Sequence, residues 1–380
     1  MNWEEDLYVL SYELASRHAN AFFKIPKEQF YVKVEEVRTQ IPNLTASQVM
    51  VKFMELVALV GDSHTTVQQT TSTSMLPFSL FNFSSGIFVI SSTPEFRFLI
   101  GQRLIEINGY PIASVMERYR EIIPHENEYW VSYQFPKYLK NLNLMYGLGL
   151  NQDNRENRFM FQNSQGGVQE IRISSGTEVE DTVFFSKVGE EVPLFLRNQS
   201  ENYWYEYLSK NHTLYFKYNR CLEMKGKSIA NITDMIMDDL KKREVRKVVF
   251  DLRFNEGGRS DLLEPLIEEL RFNQSSQFKV YVIINNGTFS AGVSTAISLK
   301  NKLNGILVGE PTGGKPDSFG NVASFVLPNT KLMISYPTRK LHFIGNENMT
   351  SLYPDIPLAL DIEDLLHGTD NAMQYILSTY

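Results

Sequence analysis

The last third of the chain alternates short apolar runs with segments of helical period, and this alternation constrains the fold more than any other feature. Lys247-Val-Val-Phe-Asp-Leu reads as a buried strand, and a Gly257-Gly258 turn leads into helical spacing over 262–270. Val280-Tyr-Val-Ile-Ile-Asn is a second buried strand, 291–303 a second helix, and Ile306-Leu-Val a third strand. Strands that alternate with helices need crossover connections, which are right-handed and build a parallel sheet. Val322 to Leu327 and Lys331 to Tyr336, joined by Pro-Asn-Thr, read as a hairpin.

The remainder is of a different kind. Residues 3–60 read as helical: Trp3, Leu7, Leu10 and Leu14 recur at helical spacing, as do Val49, Phe53, Leu56 and Val60. Thr45-Ala-Ser-Gln is a capping-box signature, and Gly61 is a natural helix stop before Asp62-Ser63-His64-Thr65. Gly86-Ile-Phe-Val-Ile and Phe96-Arg-Phe-Leu-Ile read as strands, and the strand from Gly101 closes on an Asn108-Gly109 turn before a helix over 113–122. The stretch 124–212 reads as a β-rich connection with strands near 157–163 and 169–174. The expectation is a mixed α/β (α+β) chain divided into 1–76, 77–123, 124–212 and 213–380.

With 380 residues, 43% apolar and 21% charged, the chain can bury a sizeable core. Its net charge of −7 argues against nucleic-acid partners, because phosphate binding draws on Lys and Arg. The densest basic run, Lys241 to Lys247, sits at a helix end, where cations suit the dipole. A single cysteine, Cys221, excludes an intrachain disulfide and reads as a buried thiol. No apolar run approaches the ~18 residues of a membrane span, so no stable membrane insertion is expected. The acidic start carries no secretory leader; as written the chain reads as cytoplasmic, and as exported if a leader was removed.

Sites in open α/β sheets form where strands end and helices begin. Asp251-Leu-Arg-Phe-Asn-Glu-Gly-Gly offers glycines that can turn N–H groups toward an oxyanion, or simply a tight turn. Ser290, between a strand and a helix, is either a nucleophile near the positive helix end or an ordinary N-cap. Gly309-Glu-Pro-Thr-Gly-Gly-Lys315 matches seven places of a phosphate loop. Pro316 removes the hydroxyl and N–H of the eighth, which disfavours nucleotide binding. The six histidines form no close pair, so no metal site is expected. His64, just past a helix end beside Ser63, has the pKa range of a general base.

Taken in order, these motifs resemble those of the tail-specific and C-terminal-processing serine peptidases, in their tricorn-like branch. The resemblance runs through Val248-Val-Phe-Asp-Leu-Arg-Phe-Asn-Glu-Gly-Gly, Thr288-Phe-Ser-Ala, Gly309-Glu-Pro-Thr-Gly-Gly, Leu327-Pro-Asn and Pro354-Asp-Ile. It implies a C-terminal sheet domain of the ClpP/crotonase-like type, a PDZ-like element over 77–123 and no cofactor. It also implies Ser290 as nucleophile, with backbone N–H donors from Gly257 or Gly258 and from Ala291. His64 is the implied base, with Ser63 in its network and Glu347 as acidic partner, while Asp62 reads as a turn acid. Lys315, 25 residues after Ser290, is the second candidate base by analogy with the Ser–Lys branch. The implied partner is a peptide or unfolded protein, held by strand addition to the PDZ-like element, and homo-oligomers are left open. The competing readings are a catalytically silent member of the fold that binds peptides or apolar ligands, and an esterase or amidase with the same serine machinery.

Overall fold

The computed structural model describes residues 1–68, 75–152, 156–174, 183–184, 192–273 and 278–379. In chain order, α1 (Trp3–Arg17), α2 (Lys27–Gln40) and α3 (Ala46–Ala58) precede β1 (Thr66–Gln68), β2 (Phe78–Phe83), β3 (Gly86–Ser92), β4 (Arg103–Ile107) and β5 (Tyr110–Pro111). Then come α4 (Ile112–Arg120), α5 (Glu128–Leu139), α6 (Leu142–Gly147), β6 (Glu156–Gln162), β7 (Val168–Ser174) and β8 (Val183–Phe184). They are followed by β9 (Tyr203–Leu208), β10 (Thr213–Tyr218), α7 (Ile229–Lys242), β11 (Lys247–Asp251), α8 (Glu264–Asn273), β12 (Lys279–Ile284), α9 (Ala291–Leu303) and β13 (Ile306–Gly309). The chain ends with β14 (Phe319–Val326), β15 (Met333–Lys340), β16 (Ile356–Pro357), α10 (Ile362–Leu366) and α11 (Asn371–Ser378).

Two compact units result. The first is Met1–Phe185 with Ser318–Leu341, and the second is Ser186–Asp317 with His342–Tyr380. In the first, Leu7, Leu10 and Leu14 of α1 and Val49, Phe53 and Leu56 of α3 enter one core. The Thr45 N–H donates to Gln48 Oε1 at 2.9 Å, which is half of the capping box read from the sequence. Strands β2, β3, β4, β6 and β7 form an antiparallel sheet, with β5 on β4 and β8 on β3. Asn108 (φ 52°) and Gly109 (φ 85°) make the tight turn between β4 and β5. Strand β1 follows His64 directly and pairs with β15 of the 319–340 hairpin. The buried Asp6 carboxylate holds the turn of that hairpin, accepting the Asn329 N–H at 2.9 Å and the Thr330 N–H at 2.8 Å.

Two local readings are corrected. Phe96-Arg-Phe-Leu-Ile, expected as a strand, lies largely in the 3-10 helix Pro94–Leu99. Pro94 presets the first φ, and Leu99 is the one residue of the turn that is buried, a spacing without the period of a strand. The stretch 124–212, expected as β-rich, opens with α5 and α6. The Asn127 side chain caps α5 by accepting the Trp130 N–H, and helical spacing buries Trp130, Val131, Gln134 and Phe135.

The second unit contains the expected crossover sheet, in the order β16-β13-β12-β11-β10-β9, parallel throughout except for β9. Alternate strand residues serve opposite faces. Val248, Phe250, Val280 and Val282 pack with the apolar sides of α7, α8 and α9. Val249, Tyr281 and Ile283 pack with Ala372, Met373 and Ile376 of α11. Helices therefore cover both faces, so the strands are apolar throughout and lack a period-two pattern. Among the described residues, no helix is long and apolar enough to cross a membrane.

Candidate active site

The carboxyl ends of β11, β12 and β13 bring three loops together in the second unit. Asn285 Oδ1 accepts the Phe254 N–H at 2.9 Å and the Gly287 N–H at 3.1 Å. Thr288 Oγ1 donates to the Leu252 carbonyl at 2.9 Å, and the Thr288 carbonyl accepts the Gly314 N–H at 3.1 Å. The loop after β11 and the loop after β13 are thus both stitched to the turn that carries Ser290.

Ser290 occupies the N-cap place of α9, but its hydroxyl makes no capping bond. Its backbone stands at φ 51°, ψ −122°, outside the regions a non-glycine residue prefers, a conformation that costs about 1–3 kcal/mol. The surrounding bonds hold it there. Gly257 and Gly314 make the close packing possible. A Cβ on Gly257 would lie 2.8 Å from Ser290 Cβ and 2.9 Å from the Ala291 nitrogen. One on Gly314 would lie 3.0 Å from the Ser290 nitrogen. Among the described residues, neither the Gly258 N–H nor the Ala291 N–H has a protein acceptor. Gly257 differs, because its N–H donates to Asn255 Oδ1 at 2.9 Å.

A buried charge network, not expected from the sequence, underlies this loop. Lys217 and Asp251 side chains are fully buried, and Arg253 is nearly so. The Arg253 guanidinium bonds the carboxylates of Asp251 and Asp370, and Lys217 Nζ donates to the Arg253 carbonyl at 2.7 Å. Burial lowers the Lys217 ammonium to about 8, with Asp251 opposing the shift. Burial would raise the Asp251 carboxyl, yet Arg253 and Lys217 hold it far below its ordinary value. Glu310, just beyond β13, is raised to about 7 by burial, against a bond from the Leu360 N–H.

Lys315 is half-buried, directly after Gly314. Glu347 lies on an exposed turn that begins at Gly345 (φ 77°). That turn is tied down by Asp317 Oδ1, which accepts the N–H groups of Phe343 at 2.6 Å and Ile344 at 2.9 Å. The glycine-rich run after Gly309 leads to no helix. The Thr312 hydroxyl instead donates to the Gly314 carbonyl at 2.7 Å, closing a local turn. Cys221 is buried, and burial raises its thiol to about 11, which keeps it protonated. Lys242, Arg243 and Arg246 pair with Asp238, Asp239 and Glu244, so much of the basic run is neutralised at the end of α7.

In the first unit, Asp62, Ser63, His64 and Thr65 are all buried. Asp62 Oδ1 accepts the N–H groups of His64 at 2.9 Å and Thr65 at 3.1 Å, as a turn acid does. Its Oδ2 accepts from Thr65 Oγ1 and from His18 Nε2, the latter at 2.9 Å. The Asn20 N–H donates to His18 Nδ1, so the ring proton of His18 sits on Nε2 and points at Asp62. Burial would raise the Asp62 carboxyl, but the bonds from His18 and Thr65 keep it below its ordinary value. Burial lowers the His64 imidazole, with the Asp62 charge opposing, so neutral imidazole prevails near neutrality. Ser63 Oγ donates to Glu126 Oε2 at 3.3 Å.

Sequence reasoning missed His18, Glu126, Asn255 and the Lys217–Asp251–Arg253–Asp370 network. Asn255 stood inside a quoted motif, but nothing in the motif distinguished it from a loop residue. Among the described residues, no group of three His, Cys, Asp or Glu side chains is placed to hold a metal ion.

Residues 266–358 match the sequence profile of Peptidase family S41. The structure of mature CPAF complexed with lactacystin aligns with a TM-score of 0.69 at 13% identity, over 99% of this chain and 96% of that one. A second structure of mature CPAF aligns with a TM-score of 0.65 at 12% identity, over 99% of this chain and 95% of that one. At such identity the likeness speaks for the fold. No curated protein matches the sequence. The profile match over this stretch, which includes Ser290, supports a serine-type peptidase. The similarity to the S41 family, that of the tail-specific and C-terminal-processing peptidases, is thus carried by residues 266–358.

Proposed function

We propose that this chain hydrolyses peptide bonds through an acyl-enzyme on Ser290, in the manner of the tricorn-like branch. His64 takes the Ser290 proton as Oγ bonds to the peptide carbonyl carbon, and the carbonyl π electrons move onto oxygen. That oxyanion rests on backbone N–H groups from the Gly257-Gly258 pair and from Ala291. Collapse expels the amine, which takes the proton from His64, and water then releases the acyl group by the same steps reversed. Ser63 and Glu347 orient the imidazole in this reading, and Lys315 is the second candidate base. The PDZ-like element would present an extended peptide by strand addition.

The observation that carries the reading is the backbone of Ser290. A serine held at φ 51° without capping its helix, against a glycine whose missing side chain leaves the Ala291 N–H open, suits a nucleophile and gains nothing as a helix cap. Wild-type protein is expected to label with a serine-reactive peptidyl phosphonate, and Ser290→Ala to lose all labelling. Undiminished labelling of the variant removes Ser290 from the role. In peptide cleavage, His64→Ala is expected to be inactive. Full activity of His64→Ala alongside a dead Lys315→Ala would transfer the base to the lysine.

A further inference from the structure

We propose that Asn255 is the positioning residue of the oxyanion site: its side-chain amide turns the Gly257 N–H inward, and so leaves Gly258, with Ala291, as donors to the oxyanion. The inference rests on the Ser290 reading above and goes further, since it decides between two adjacent glycines.

Asn255 is fully buried. Its Oδ1 accepts the Gly257 N–H at 2.9 Å and the Cys221 thiol at 3.4 Å. Its Nδ2 donates to the Tyr218 carbonyl at 2.8 Å. Its own carbonyl accepts the N–H of Phe289, the residue before Ser290, at 2.9 Å. One side chain and one carbonyl therefore tie the glycine loop, the end of β10 and the nucleophile turn into a single body. Gly292 preserves this approach, because a Cβ there would lie 2.6 Å from the Asn255 carbonyl oxygen.

The Gly257 N–H is committed to Asn255 and could reach an oxyanion only by breaking that bond. The next peptide is pinned from the other end, where the Gly257 carbonyl accepts the Cys221 N–H at 3.0 Å. In a trans peptide the N–H points opposite to the carbonyl, so the Gly258 N–H faces away from Cys221. Gly258 is exposed, and its N–H has no acceptor among the described residues.

The test compares two ligands on whole protein. A peptide aldehyde adds Ser290 Oγ to its carbonyl carbon, the π electrons become an oxyanion and the serine proton passes to the base. A cleavage-product peptide forms no oxyanion. Asn255→Asp and Asn255→Ala are expected to weaken aldehyde binding by on the order of 10²-fold, leave product affinity within about twofold, and lower kcat without raising KM. In wild-type protein carrying 15N on Gly257 and Gly258 and a 13C carbonyl on Gly257 to tell the two apart, aldehyde binding is expected to move the Gly258 amide proton downfield and to leave the Gly257 amide in place. Equal loss of both ligands in the variants, or a shift at Gly257 in place of Gly258, overturns the proposal, and the second readout needs no variant to fold. Wild-type protein that takes neither phosphonate nor aldehyde overturns the Ser290 reading itself, and this inference with it.

Discussion

Replacing Gly257 by alanine tests the packing that exposes the Ala291 N–H. The new Cβ would stand 2.8 Å from Ser290 Cβ and 2.9 Å from the Ala291 nitrogen, at a backbone φ of 103°. Carbon contacts relax near 3.5–4.0 Å, so about 1 Å of movement must be found between the glycine loop and the nucleophile turn. Both are cross-linked through Asn255 and Thr288, so the shift falls on the reacting groups. A displacement of that size costs on the order of 10² in rate, and masking one oxyanion donor about 10²–10³. We expect kcat/KM for a peptide substrate to fall on the order of 10²–10³. The backbone strain adds about 1–3 kcal/mol to the folded state. Gly226→Ala is the control: its φ is 78° and nothing lies within 4 Å of the added carbon, so it meets strain without collision. Both variants should lose a few degrees in Tm by calorimetry, but Gly226→Ala should keep wild-type kcat/KM. If the two variants are equally active, the close approach of Gly257 is not what keeps the site open.

Two further expectations concern pH. Burial lowers the folded His64 pKa below 6.5, so kcat/KM should hold above that value and fall only on the acid side; an acid limb centred well above neutrality would refute His64 as base. Because folded His64 binds fewer protons than unfolded His64, its contribution to stability is full above 6.5 and shrinks as pH falls through the lowered folded value. Glu310 behaves oppositely. Its folded pKa is raised from 4.5 to about 7, so its contribution is full below 4.5 and is lost as pH rises through 7. Glu310→Gln should therefore gain about 1–3 kcal/mol over wild type in urea unfolding at pH 8 and nothing at pH 4; an equal effect at both values would show that the carboxyl does not titrate as described.

The strands β11 to β13 and helix α9 were legible because both faces of the sheet are covered. Strands buried on both sides become unbroken apolar runs, and helix-forming segments between them leave one topology. The β4–β5 turn was legible for a local reason, since Asn-Gly suits positive φ. Phe96 to Ile100 was misread because a run of apolar residues does not say whether its neighbours lie one turn or one pleat apart. Helices α5 and α6 were missed because aromatic-rich segments score as strands until a cap such as Asn127 is recognised.

Local pattern alone thus determined where strands end and helices begin around Asp251, Ser290 and Gly309, and which residue types stand at those junctions. Tertiary structure decided everything that depends on two distant segments meeting. It placed the 319–340 hairpin with the first unit, through β1 and the Asp6 carboxylate. It gave His18 to Asp62 and Glu126 to Ser63. It also set four charged side chains beneath the glycine loop, and turned Asn255 from a loop residue into a tie between that loop and the nucleophile turn. Periodicity and turn preference act between residues a few places apart, and are written in composition. Burial and hydrogen bonding across 40 or 100 positions depend on chain path, which no short window of sequence contains.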